Sequence, residues 1–75
     1  MNLNLFKSTM VLYGDTQASL SKALGISRMT LSNKLHGRND FSQAEILFIK
    51  DRYRLNAEDV DAIFFDLKVS YKDTN

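Results

Sequence analysis

Residues 28–36, RMTLSNKLH, carry side chains suited to meeting a surface of mixed hydrogen-bond donors and acceptors. On a helix at about 100° per residue, Leu31 and Leu35 share one side. Met29, Thr30 and Asn33 fall opposite them, with Arg28, Ser32 and His36 toward one flank. The outward set is short, polar and uncharged apart from Arg28. That is the chemistry a DNA major groove requires. Asn pairs with adenine, Arg with guanine and Ser or Thr with several edges, while apolar atoms touch the thymine methyl. Met29 or the methyl of Thr30 would make the last contact. A carboxylate on this face would meet the negative potential of the phosphates. The wider window, residues 16–39, contains Lys22, Arg28, Lys34 and Arg38 and no acidic residue.

Two short helices joined by a turn must present this face. The first spans 17–24, with Asp15 or Thr16 as N-cap and Leu20 and Leu24 on its buried side. The second spans 28–36, capped by Ser27 and closed by Gly37. Gly25 between them permits a sharp turn and a crossing of about 90–120°. Ala18, Ser21 and Ala23 are small enough for close approach.

Three further helices are expected to hold this pair. One runs over 3–13, where Leu5, Phe6, Met10 and Tyr13 form an apolar stripe and Gly14 ends the helix. Another opens on Ser42-Gln43-Ala44-Glu45, a capping box, with Phe41 and Ile46 as hydrophobic staple, and continues through Ile49 to about Tyr53. The last follows Asn56. Glu58 and Asp59 suit its positive end, and Val60, Ile63 and Phe64 face inward. The expected fold is all-α, a five-helix domain over residues 1–66, followed by a tail over 67–75. In that tail Leu67, Val69 and Tyr71 alternate with Lys68, Ser70 and Lys72, a strand pattern. A lone strand is not stable by itself, so it either frays or pairs, for example with its own copy. Phe65 points away from Phe64 and, with Leu67, Val69 and Tyr71, is the expected dimer interface.

The 75 residues suffice for one domain with a thin core. Without cysteine there is no disulfide, thiolate zinc site or thiol nucleophile, which suits the reducing cytoplasm. No apolar run approaches the roughly 18–20 residues of a membrane span. The N-terminal stretch MNLNLFKSTMVLYG reads as a helix of the fold and not a signal peptide. Charge is uneven. Residues 1–40 hold five basic and two acidic side chains, net +3; residues 41–75 hold five basic and seven acidic, net −2. A basic half beside an acidic half points to an anionic partner on one side. No Ser–His–Asp set, phosphate loop or paired carboxylates indicate an enzyme. The acidic cluster Glu58, Asp59 and Asp61 lacks the ligand spacing of a calcium loop. No metal, cofactor or small-molecule ligand is expected.

From Gln17 to Ser32 the pattern Q-x-x-L-S-x-x-L-G-I-S-x-x-T-L-S resembles the helix-turn-helix of the phage repressor and Cro family, and the likeness extends over residues 3–66. It implies a sequence-specific regulator of transcription that binds double-stranded DNA through a recognition helix at 28–36. By that likeness Gln17, Arg28, Met29, Thr30, Ser32 and Asn33 meet bases, and Thr16, Lys34, His36, Arg38 and Asn39 hold phosphates. A homodimer on a near-palindromic operator is implied. Ser21 stands where the family usually has alanine, which packs if its hydroxyl bonds a carbonyl one turn back. The alternative is a protein-interaction module, or a DNA-binding antitoxin, docking a partner through the fifth helix and the tail.

Overall fold

A computed structural model describes residues 1–65 of the chain. The strand pattern and the interface residues Leu67, Val69 and Tyr71 lie outside the described residues. Within them the chain is all α-helical, with α1 over Leu3–Leu12, α2 over Gln17–Leu24, α3 over Arg28–Leu35, α4 over Gln43–Arg52 and α5 over Ala57–Phe64.

Each start is set by a short polar side chain that accepts a hydrogen bond from a first-turn amide. Asn2 caps α1, accepting from the Leu5 amide at 3.0 Å. Thr16, not Asp15, caps α2, accepting from the Ser19 amide at 3.1 Å. Ser27 caps α3 through the Thr30 amide at 3.0 Å. The expected capping box of α4 is present. The Glu45 amide donates to Ser42 Oγ at 3.1 Å, and the Ser42 amide donates to Glu45 Oε1 at 2.8 Å. Asn56 and Asp59 make the same reciprocal pair at α5.

The core is built from Phe6 and Met10 of α1, Leu20 of α2, Leu31 and Leu35 of α3, Ile49 and Tyr53 at α4, and Val60, Ile63 and Phe64 of α5. Phe6, Phe41 and Phe64 form an aromatic triangle with ring centroids 5.4–5.7 Å apart. Phe64 meets the other two rings edge-to-face while Phe6 and Phe41 stack, contacts that add directional attraction to plain burial. Phe41 and Ile46, the expected staple, are both half-buried against this core.

The stripe on α1 differs from expectation. Phe6 and Met10 are buried, but Leu5 and Tyr13 are exposed, and Leu3 takes the inward position instead. The Tyr13 ring lies against Tyr53, 5.3 Å between centroids, so the residue covers the core edge without entering it. The N-terminus is tied down as well: the Asn2 amide donates to the Ile63 carbonyl at 2.7 Å.

Candidate nucleic-acid interface

The turn between α2 and α3 occupies Gly25, Ile26 and Ser27. Gly25 adopts φ +75°, a conformation that L side chains resist, and this lets two backbone bonds close the end of α2. The Gly25 amide donates to the Lys22 carbonyl at 3.2 Å and the Ile26 amide to the Ser21 carbonyl at 3.0 Å. The chain then reverses, Ile26 tucks against the core, and α3 packs on α2. Ser21, buried between them, satisfies its hydroxyl on the Ala18 carbonyl at 3.0 Å, the bond expected of a serine in that place.

With Leu31 and Leu35 turned inward, α3 shows its other side to solvent. Arg28 is exposed, and no described carboxylate pairs with it. Met29 is 74% exposed, so it does not fold over the core edge. Thr30, Ser32 and Asn33 are half-buried. The Thr30 hydroxyl oxygen accepts from Ser27 Oγ at 2.8 Å and keeps its own proton to donate. Gln17 is half-buried at the first position of α2, beside Thr16. The Thr16 hydroxyl serves the helix cap twice, accepting from the Ser19 amide at 3.1 Å and donating to Ser19 Oγ at a longer 3.4 Å, so a phosphate would have to draw its proton from that weak contact.

Several residues assigned to phosphates have internal partners. Lys34 is the clearest departure. Its ammonium lies 3.0 Å from Glu45 Oε1, donates to the Asp40 carbonyl at 2.9 Å and sits 5.8 Å from the centre of the Phe41 ring. It latches α3 to the start of α4 and is not turned to solvent, because the capping carboxylate of α4 is the nearest counter-charge. Burial works to raise the Glu45 carboxyl, but the Ser42 amide and the Lys34 ammonium outweigh it and hold the carboxyl below its ordinary value. His36 is exposed with Nδ1 2.8 Å from the Ser32 carbonyl oxygen; a carbonyl only accepts, so Nδ1 carries the proton there and Nε2 is the nitrogen left for another partner. Arg38 and Asn39 are exposed in the loop after α3. One guanidinium nitrogen of Arg38, Nη1, donates to Asn33 Oδ1 at 3.2 Å.

One cluster had no counterpart in the pattern reading. The Asp15 side chain, only 6% exposed, accepts from Arg52 Nε at 2.7 Å and Nη2 at 2.9 Å, from Tyr53 Oη at 2.6 Å and from Ser19 Oγ at 2.7 Å. Hydrogen bonds from Arg52, against burial, and with help from Tyr53 and Ser19, hold this carboxyl well below the usual carboxylate range. Burial, then the neighbouring Asp15, pushes the Tyr53 hydroxyl well above its ordinary value. The cluster clamps the corner before α2 onto the end of α4, and so sets where Thr16 and Gln17 stand. Nothing in a sequence links residues separated by 37 positions. Among the described residues, no group of histidine, aspartate and glutamate is arranged to hold a metal ion. No helix among them is long and apolar enough to cross a membrane.

Among the described residues the five helices define a small all-α domain, and the solvent side of α3 is polar and free of carboxylates. The chain belongs to the family described as "Protein of unknown function (DUF739)", which matches residues 6–67. No curated protein and no solved structure matches the chain significantly.

Proposed function

We propose that this protein is a phage Cro- or repressor-like regulator that binds double-stranded DNA sequence-specifically through α3. The observation that carries the reading is the division of α3 into two faces. Leu31 and Leu35 anchor it from behind, while Arg28, Met29, Thr30 and Asn33 face away with no acidic neighbour on the helix. Arg28 would read guanine, Asn33 adenine, and Met29 a thymine methyl. Thr30 and Ser32 assist, and Gln17 approaches from the start of α2. Thr16, Arg38, Asn39 and Nε2 of His36 are the groups left for phosphates, since Lys34 is spent on Glu45. The activity is binding without catalysis or cofactor, in the cytoplasm.

Two copies are proposed to act together, joined in part through Phe65, which is 54% exposed at the end of α5. Their recognition helices would lie about one DNA turn apart, roughly 34 Å, on a near-palindromic site. Selection of bound sequences from a random duplex pool tests the reading. A consensus with twofold symmetry is expected. Asn33→Ala should lower discrimination at one base pair of each half-site by about 1–3 kcal/mol. Failure of the wild-type protein to enrich any sequence would sink the proposal. The exposed Phe65 also favours a second reading, a module or antitoxin that docks another protein there. Stoichiometric co-purification of a different polypeptide, lost on Phe65→Ser, would favour it.

A further inference from the structure

We infer that Arg38 is a positioning residue for base readout: its guanidinium orients the Asn33 amide so that the NH2 group faces the DNA and selects adenine against cytosine. This rests on the DNA-binding reading above and deepens it at one side chain.

Asn33 stands nearly opposite Leu31 and Leu35 on α3 and should be bare, yet it is half-buried. What covers it is the chain returning over the helix end. Gly37, at φ +79°, turns the backbone so that the Gly37 amide donates to the Lys34 carbonyl at 3.2 Å and the Arg38 amide to the Asn33 carbonyl at 2.9 Å. The Asn39 amide approaches the same carbonyl at 3.4 Å. Arg38 is therefore held over Asn33 by its own backbone before its side chain acts.

The side chain then closes the second link, Nη1 donating to Asn33 Oδ1 at 3.2 Å. A guanidinium has donors only, so the amide oxygen must be the atom that faces it. Turning the amide over would aim its NH2 at a cation. The contact thus breaks the near-symmetry of the amide and leaves two N–H groups outward, with one lone pair of Oδ1 still free. Adenine fits this arrangement, with N7 accepting from Nδ2 and N6–H donating to the free lone pair. Cytosine presents only a donor at that edge and has nothing to offer the NH2 group. The other guanidinium nitrogens remain available to a phosphate, so Arg38 acts on both backbone and base.

The test separates charge from orientation. Arg38→Lys keeps the positive charge but lacks the planar fork. On the selected site and on its adenine-to-cytosine variant, Arg38→Lys should reduce the adenine preference about fivefold, the worth of one ordinary hydrogen bond. Affinity for random duplex, where Arg38 also meets phosphate, should fall by less than the adenine preference does, and the salt dependence should persist because lysine keeps the charge. In an Asn33→Ala background the same substitution should change the preference no further. Arg38 is exposed, and an unchanged melting curve will establish that the variant folds. Undiminished adenine preference in Arg38→Lys, or an equal loss of affinity for every sequence, overturns the inference while leaving DNA binding standing. Absence of duplex binding by the wild-type protein overturns both.

Discussion

At the scale of single residues, Asp15 and Lys34 show how charge is used inside a small domain. Asp15 is a nearly covered carboxylate with four hydrogen-bond contacts from three side chains, which offsets the cost of taking it out of water. Asp15→Asn keeps the shape but removes the charge that Arg52 needs. It should destabilise the domain by about 2–3 kcal/mol at neutral pH, measured by urea unfolding. The sign with pH follows from the depressed folded-state value. Stability from Asp15 is fully present above the unfolded value, 3.8, and is lost as pH falls through the lower folded value. The gap between wild type and Asp15→Asn should therefore be constant from pH 7 to about 5 and close progressively below about 4. A gap that persists unchanged at pH 2–3 would mean that the carboxylate contributes no net charge stabilisation. Lys34 carries the complementary lesson. A lysine beside a recognition face looks like a phosphate contact, but the carboxylate of the next helix claims it.

At the scale of elements, the helix ends share one backbone device. Three of them close around glycines with φ between +75° and +79°, and α4 closes the same way around Arg54 at φ +53°. The Leu55 amide reaches the Lys50 carbonyl at 2.8 Å there, so the closure is complete despite the side chain. A left-handed arginine costs about 1–2 kcal/mol locally. Arg54→Gly relieves that strain and gives back part of the gain in unfolded-chain entropy. A net increase of about 0.5–1 kcal/mol in unfolding free energy is expected. A loss of stability in this variant would show that the Arg54 side chain contributes more by its contacts than its backbone costs. These closures matter beyond stability. The one after α2 sets the angle at which α3 leaves, and the one after α3 brings Arg38 back over Asn33.

At the scale of the whole molecule, the basic N-terminal and acidic C-terminal parts of the chain coincide with two different sides of the proposed mechanism. The proposed recognition face belongs to the basic part, and Phe65 ends the described portion of the acidic part. If Phe65 joins two copies, sedimentation equilibrium should show a monomer–dimer equilibrium for the wild type. Phe65→Ser should shift it to monomer without loss of helical circular dichroism. A wild-type protein that stays monomeric at every concentration tested would remove the twofold arrangement, though not single-site binding.

Local chemistry along the chain determined the five helices, because their boundaries depend on neighbours three or four residues away. Ser27, Ser42 and Asn56 bond amides three residues away, and Gly14, Gly25 and Gly37 permit the turns that follow. It also determined most of the core, since Leu20, Leu31, Leu35, Ile49, Val60, Ile63 and Phe64 recur at helical spacing. On α1 the same periodicity misled, assigning Leu5 and Tyr13 to an interior that has room only for Leu3, Phe6 and Met10. Which polar side chains are spoken for was settled instead by packing across the fold. Lys34 with Glu45, Asp15 with Arg52 and Tyr53, and Arg38 with Asn33 depend on how elements or a reversed chain meet. A charge takes the nearest partner in space, and helix periodicity carries no information about distances across the fold.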